Sequence, residues 1–105
     1  MIISDNVMIG ESILPNAQKI LENIREDKHC GNPFWYVITT AWEEENLMNI
    51  LSGMELRHPF YHTGSLRILG LAGSRKEALE LVLKLVQNGY DKEEIFNLKH
   101  FFEQF

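Results

Sequence analysis

The run Phe34-Trp35-Tyr36-Val37-Ile38-Thr39-Thr40 constrains this chain more than any other segment. Every residue in it is aromatic or β-branched, which favours a pleated strand over a helix. It shows little polar alternation, so both of its faces are expected to be buried. A strand covered on both sides needs layers above and below it, and the neighbouring periodicity supplies helices for them. The expected class is therefore α/β or α+β: a small sheet containing a β-α-β unit, packed by three to four helices.

The second strand is Leu66-Arg67-Ile68-Leu69-Gly70-Leu71-Ala72. Gly73 turns the chain, and Ser74 and Glu77 stand at capping-box spacing. The following helix is expected from Arg75 to about Asn88, ended by Asn88-Gly89. It is apolar around much of its circumference (Ala78, Leu79, Leu81, Val82, Leu83, Leu85, Val86), so it is expected to touch the sheet and another helix. Upstream, Leu14, Ala17, Ile20, Leu21 and Ile24 recur at helical spacing. They predict a helix from Ile13 to Lys28, with Ser12 as N-cap and Pro15 in its first turn. Leu47, Ile50, Leu51 and Met54 predict a further helix after Thr40, with Glu43, Glu44 and Glu45 in its first turn. Asp91 and Glu94 suggest one more, carrying Ile95, Leu98, Phe101, Phe102 and Phe105. Residues 1–11 read either as short strand pieces or as an irregular arm, and Phe60-Tyr61-His62 as a possible short strand.

About 25 residues separate the two strand runs, which fits a parallel pair joined by a right-handed crossover. Two strands make a thin sheet. A third strand from 1–9 or 60–62, or pairing with a second copy, would complete it. The 105 residues suit one domain, 1–105, with no internal repeat and no linker.

Composition narrows the function classes. Net charge is −5, with ten basic residues spread among fifteen acidic ones. Nucleic-acid binders carry a basic stripe that neutralises phosphates, so neither nucleic acid nor an anionic membrane is expected as a partner. No apolar run approaches the roughly 20 residues that span a bilayer, and no signal-peptide pattern opens the chain. A lone cysteine, Cys30, forbids an internal disulfide and favours a reducing, cytoplasmic setting.

Several residue groups are candidates for chemistry. At Gly73-Ser74-Arg75 a strand runs through a glycine turn into a helix start. Free N–H groups there can hold a phosphate or carboxylate, and Arg75 would add charge. A parallel sheet would bring Thr39, Thr40, Trp42 and Glu43 beside this turn, which makes Gly73, Ser74, Arg75, Thr40 and Trp42 a hypothetical anion pocket. The plainer reading is a turn and a cap with no ligand. The loop Arg57-His58-Pro59-Phe60-Tyr61-His62 is a secondary candidate, because Arg57, His58, Tyr61 and His62 could orient an anion or titrate near neutrality. Its plainer reading is a loop packed by its rings. Pro59 and the lack of nearby acid or cysteine ligands argue against metal binding. His29-Cys30 lacks an orienting third group. Glu43, Glu44 and Glu45 fan around a helix axis and do not converge on a metal.

Phe101, Phe102 and Phe105 end the sequence, and Phe101 and Phe102 cannot both face one interior stripe. They imply either a tail folded on its own core or a subunit contact, and a homodimer is the expected assembly. No catalytic constellation, metal set or cofactor motif is present. The preferred function is a non-enzymatic, self-associating interaction or regulatory module, with a protein partner possible. The alternative is a small anion-binding protein or minor enzyme using the Gly73–Arg75 helix start.

Overall fold

The computed structural model describes residues 2–26, 28, 33–41, 47–57, 66–92, 102 and 105, with 90–92 described in backbone only. The elements are β1 (Ile2–Ile9), a 3-10 turn (Glu11–Ile13), α1 (Leu14–Arg25), β2 (Tyr36–Thr40), β3 (Met48–Ser52), α2 (Gly53–Leu56), β4 (Arg67–Ala72) and α3 (Arg75–Lys92). The fold is mixed α/β. Four strands form one sheet in the order β1-β4-β2-β3.

Strand direction corrects the expected pairing. β1 runs parallel to β4. β2 is antiparallel to β4, with Tyr36 opposite Ala72 and Thr39 opposite Ile68. β2 is also antiparallel to β3. It follows that β3 and β4 point the same way with β2 between them, so the β-α-β unit consists of β3, α2 and β4. The two strand runs read from the sequence are neighbours, but they oppose each other. Periodicity defines a strand's faces and carries no information on its direction.

The sheet is covered on both sides, as the apolar β2 run requires. Ile38, Leu69 and Ala72 pack with Ala78, Leu81 and Leu85 of α3 and with Phe102. Val37, Leu51, Ile68 and Leu71 pack on the other face with Ile13, Ala17 and Leu56. The register of β4 shifts between its pairings with Ile38 and Thr39. That irregularity lets Ile68 and Leu71 serve one core while Leu69 and Ala72 serve the other, a spacing that plain alternation does not give. Gly70 belongs there for steric reasons, since a Cβ would press on Ile38 and on the Met8 carbonyl.

Several expected boundaries move. Residues 2–9 resolve to an edge strand. The helix expected after Thr40 is, over its described residues, β3 followed by the single turn α2. Met48 and Ile50 face the α3 side while Leu51 faces α1, and the open edge of β2 takes this segment as a partner. Ser52 and Glu55 close a capping box on α2. Ser12 does not cap α1; Ile13 holds that position without a side-chain bond. Helix α3 passes through Asn88-Gly89 to Lys92, and Gly89 is buried within it. The segment 60–62 and most of the expected last helix lie outside the described residues. No helix of the described residues is long and apolar enough to cross a membrane.

Candidate functional site

The N-terminus of α3 is built as the sequence implies, but the Gly73 and Glu77 N–H groups are already engaged. The Ser74 carbonyl accepts the Ala78 N–H at 2.9 Å, which makes Ser74 the N-cap. Its hydroxyl accepts the Glu77 N–H at 3.1 Å. The Glu77 carboxylate reaches back and accepts the Gly73 N–H at 2.8 Å. It also accepts the Ser12 hydroxyl at 2.7 Å and the Ser12 N–H at 3.2 Å. An anion does sit at this turn, and it is the chain's own carboxylate. Gly10 and Gly73 leave room for the clamp. A Cβ on Gly10 would strike the Glu77 carboxylate, and one on Gly73 would strike the Ser12 hydroxyl.

Glu77 thereby fastens the β1–α1 junction to the start of α3, a link across 65 residues of sequence. The Gly73 N–H, then the Ser12 hydroxyl, hold its carboxyl below the ordinary carboxylate range; slight burial opposes them. Glu77→Ala is expected to destabilise the fold by about 1–2 kcal/mol at pH 7, the scale of charge-assisted bonds discounted for solvent screening. The pH dependence has a definite sign. The unfolded chain binds the Glu77 proton more readily than the folded chain does, so the contribution is complete above the unfolded pKa. It is lost as pH falls through the lower, folded value. Urea unfolding of both proteins should show the full gap at pH 7 and a shrinking gap below about pH 4.

The hypothetical anion pocket does not assemble. Tyr36, at the start of β2, is the residue beside Ala72 and the α3 turn. Thr40 lies at the far end of that strand, about 13 Å away at the usual rise. There its hydroxyl accepts the Arg67 N–H at 3.0 Å. Gly73, Ser74 and Arg75 therefore share no site with Thr40, and Trp42 lies outside the described residues. So do Glu43, Glu44, Glu45, His29, Cys30, His58, Tyr61 and His62. Arg57 sits in the turn after α2 and is half-buried. Among the described residues, no group of three or more His, Cys, Asp or Glu could hold a metal.

The aromatic tail closes on its own core at the two described positions. Phe102 is wholly buried against the α3 side of the sheet. Phe105 packs partly buried beside it, ring edge to face at 5.7 Å. The Phe105 carbonyl accepts the Asn6 side-chain amide at 2.8 Å. An interface through Phe102 is thus corrected to an intramolecular contact, and Phe101 lies outside the described residues.

Two features were not singled out from the sequence. Thr39 Oγ1 and Asn49 Nδ2 are buried without partners, on residues directly opposite each other in β2 and β3. An unmade bond of this kind costs about 1–3 kcal/mol. The other feature is the outer side of α3. Ala78, Leu81 and Leu85 point into the core, but Leu79 is 50% exposed and Leu83 is 71% exposed. They stand one turn apart on the same side of the helix, with the half-buried Val86 next along that side. Lys76 and Gln87, both exposed, border that side. The sequence carried the signal, an apolar circumference wider than one contact needs. The expected covering helix is not among the described residues.

Comparison with protein-family models, curated proteins and solved structures gave no match.

Proposed function

We propose that this chain is a non-enzymatic interaction module that binds a second copy of itself through the outer side of α3. One observation carries the reading: Leu79 and Leu83 present a two-leucine apolar step to solvent on the longest helix among the described residues. Single exposed apolar residues are ordinary, whereas neighbouring ones on one helix side form a small patch of the kind contact surfaces use. The turn at Gly73–Arg75 gives less support to ligand binding, because its Gly73 amide and Ser74 hydroxyl are taken by Glu77. The lone cysteine favours a cytoplasmic setting.

The expected affinity is modest. Each buried leucine contributes about 1.5–3 kcal/mol, and a two-fold contact buries four of them. Association costs an estimated 4–15 kcal/mol. The most favourable ends of these two ranges leave about 8 kcal/mol, which sets a Kd on the order of micromolar as the tightest that four leucines support. Sedimentation of the purified chain between about 1 and 100 μM brackets that value. The reading expects the mass to rise from 12.2 kDa toward twice that figure. A monomer throughout the range contradicts it.

A further inference from the structure

We infer that Thr39 and Asn49 form an internal binding site for one water molecule, which joins β3 to β2 on the α1 side of the sheet. The site is independent of self-association. Thr39 is fully buried, and its hydroxyl meets no hydrogen-bond partner among the described residues. The buried Nδ2 of Asn49 meets none either. The two residues stand directly opposite each other in the antiparallel β2–β3 pair. Each lies two positions from the opposed pair Val37 and Leu51, so strand alternation puts all four on one face. That face is the one that packs with Ile13 and Ala17 of the α1 side.

Directly opposed residues carry Cβ atoms about 4.5–5.5 Å apart. The Thr39 hydroxyl and the Asn49 amide do not bond each other across that gap. One water, bonded to each at about 2.8–3.0 Å, spans it. Its chemistry also fits both groups. Asn49 Nδ2 only donates, whereas the Thr39 hydroxyl donates or accepts. A water that accepts from the amide and donates to the hydroxyl satisfies the two at once. The surroundings select something small. Val37, Leu51 and Ile68, which lies beside Thr39 in β4, are buried and apolar. Water enters an interior where two to four polar groups receive it, and the pair supplies two. A larger carbonyl ligand would bring bulk to a face already closed over Thr39.

Thr39→Val tests the site, because valine keeps the shape and removes the hydroxyl. The substitution breaks the bridge and leaves the Asn49 amide without its bond. The folded-to-unfolded ratio from urea unfolding is therefore expected to fall about 5–30-fold. Oxygen-17 relaxation dispersion counts long-lived internal waters, and the variant is expected to hold one fewer than the parent. Asn49→Leu removes the other side of the bridge and is expected to lose the same water. Thr39→Val combined with Asn49→Leu should cost less than the two single losses together, since no half of the bridge is left behind. An unchanged water count overturns the site, whatever the ratio does. If the ratio then holds or rises, the two atoms are unpaired and removing one relieves a cost. If the ratio falls with the count unchanged, the two side chains bond each other directly. Should Thr39→Val fail to fold, Asn49→Leu decides alone: loss of one water supports the site and retention overturns it.

Discussion

Phe102→Ala is expected to lower the unfolding free energy by about 3–5 kcal/mol, the range for truncating a buried aromatic ring. The ring is wholly buried in a cluster that draws on three separate elements: Ile38 of β2, Leu69 and Ala72 of β4, and Ala78, Leu81 and Leu85 of α3. Phe105 lies edge-on against it and loses that contact too. A domain of this length has about 5–15 kcal/mol of stability in all, so the variant sits close to the threshold of folding. Urea unfolding followed by circular dichroism reads the effect as a fall in midpoint with little change in slope. The same substitution should leave the dissociation constant of the folded dimer nearly unchanged, because Phe102 is interior. If the urea midpoint holds and the molecular mass changes instead, Phe102 belongs to an interface and its assignment to the core is wrong.

That contrast shows what hydrophobicity alone can say. Three phenylalanines at 101, 102 and 105 demand cover. Whether the cover is the chain's own sheet or a second molecule depends on where the tail lands, which no local pattern records. β2 and β4 were legible because their residues are β-branched, aromatic or aliphatic and nearly free of charge. α3 was legible from its cap, since Ser74 and Glu77 stand at the right offset and Ser74 makes its expected bond. The other half of that arrangement was not legible. Glu77 reaches Gly73 and Ser12, and the Ser12 contact spans 65 positions of sequence.

β3 misled for a different reason. Leu47, Ile50, Leu51 and Met54 fit a helical stripe, and a short apolar run cannot be assigned by spacing alone. The edge of β2 decided the matter by pairing Val37 with Leu51 and Ile38 with Ile50. β1 was obscured by Ser4-Asp5-Asn6 at its centre. That is where its register against β4 shifts, between Ile3 and Met8. The antiparallel course of β2 then moved Thr40 to the opposite end of the sheet from Gly73 and dissolved the pocket drawn from a parallel pairing.

Leu83→Asp is expected to have the other large effect, on assembly and not on folding. The side chain is 71% exposed, so its replacement removes little from the core of the monomer. An exposed aspartate within a helix costs only about half a kcal/mol of propensity. In the dimer, each substitution sets a carboxylate within the apolar contact, and the two-fold repeats the injury. Desolvating two unpaired carboxylates at an apolar contact should weaken association by at least about 100-fold, roughly 2.7 kcal/mol.

The most direct test is therefore light scattering on the parent protein and on Leu83→Asp, at the same concentration near 100 μM, about a hundred times a micromolar Kd. The expected result is a parent mass near twice 12.2 kDa and a variant mass near 12.2 kDa, with the same far-ultraviolet circular dichroism. Equal masses for the two proteins would contradict the assignment of α3's outer side as the surface of self-association.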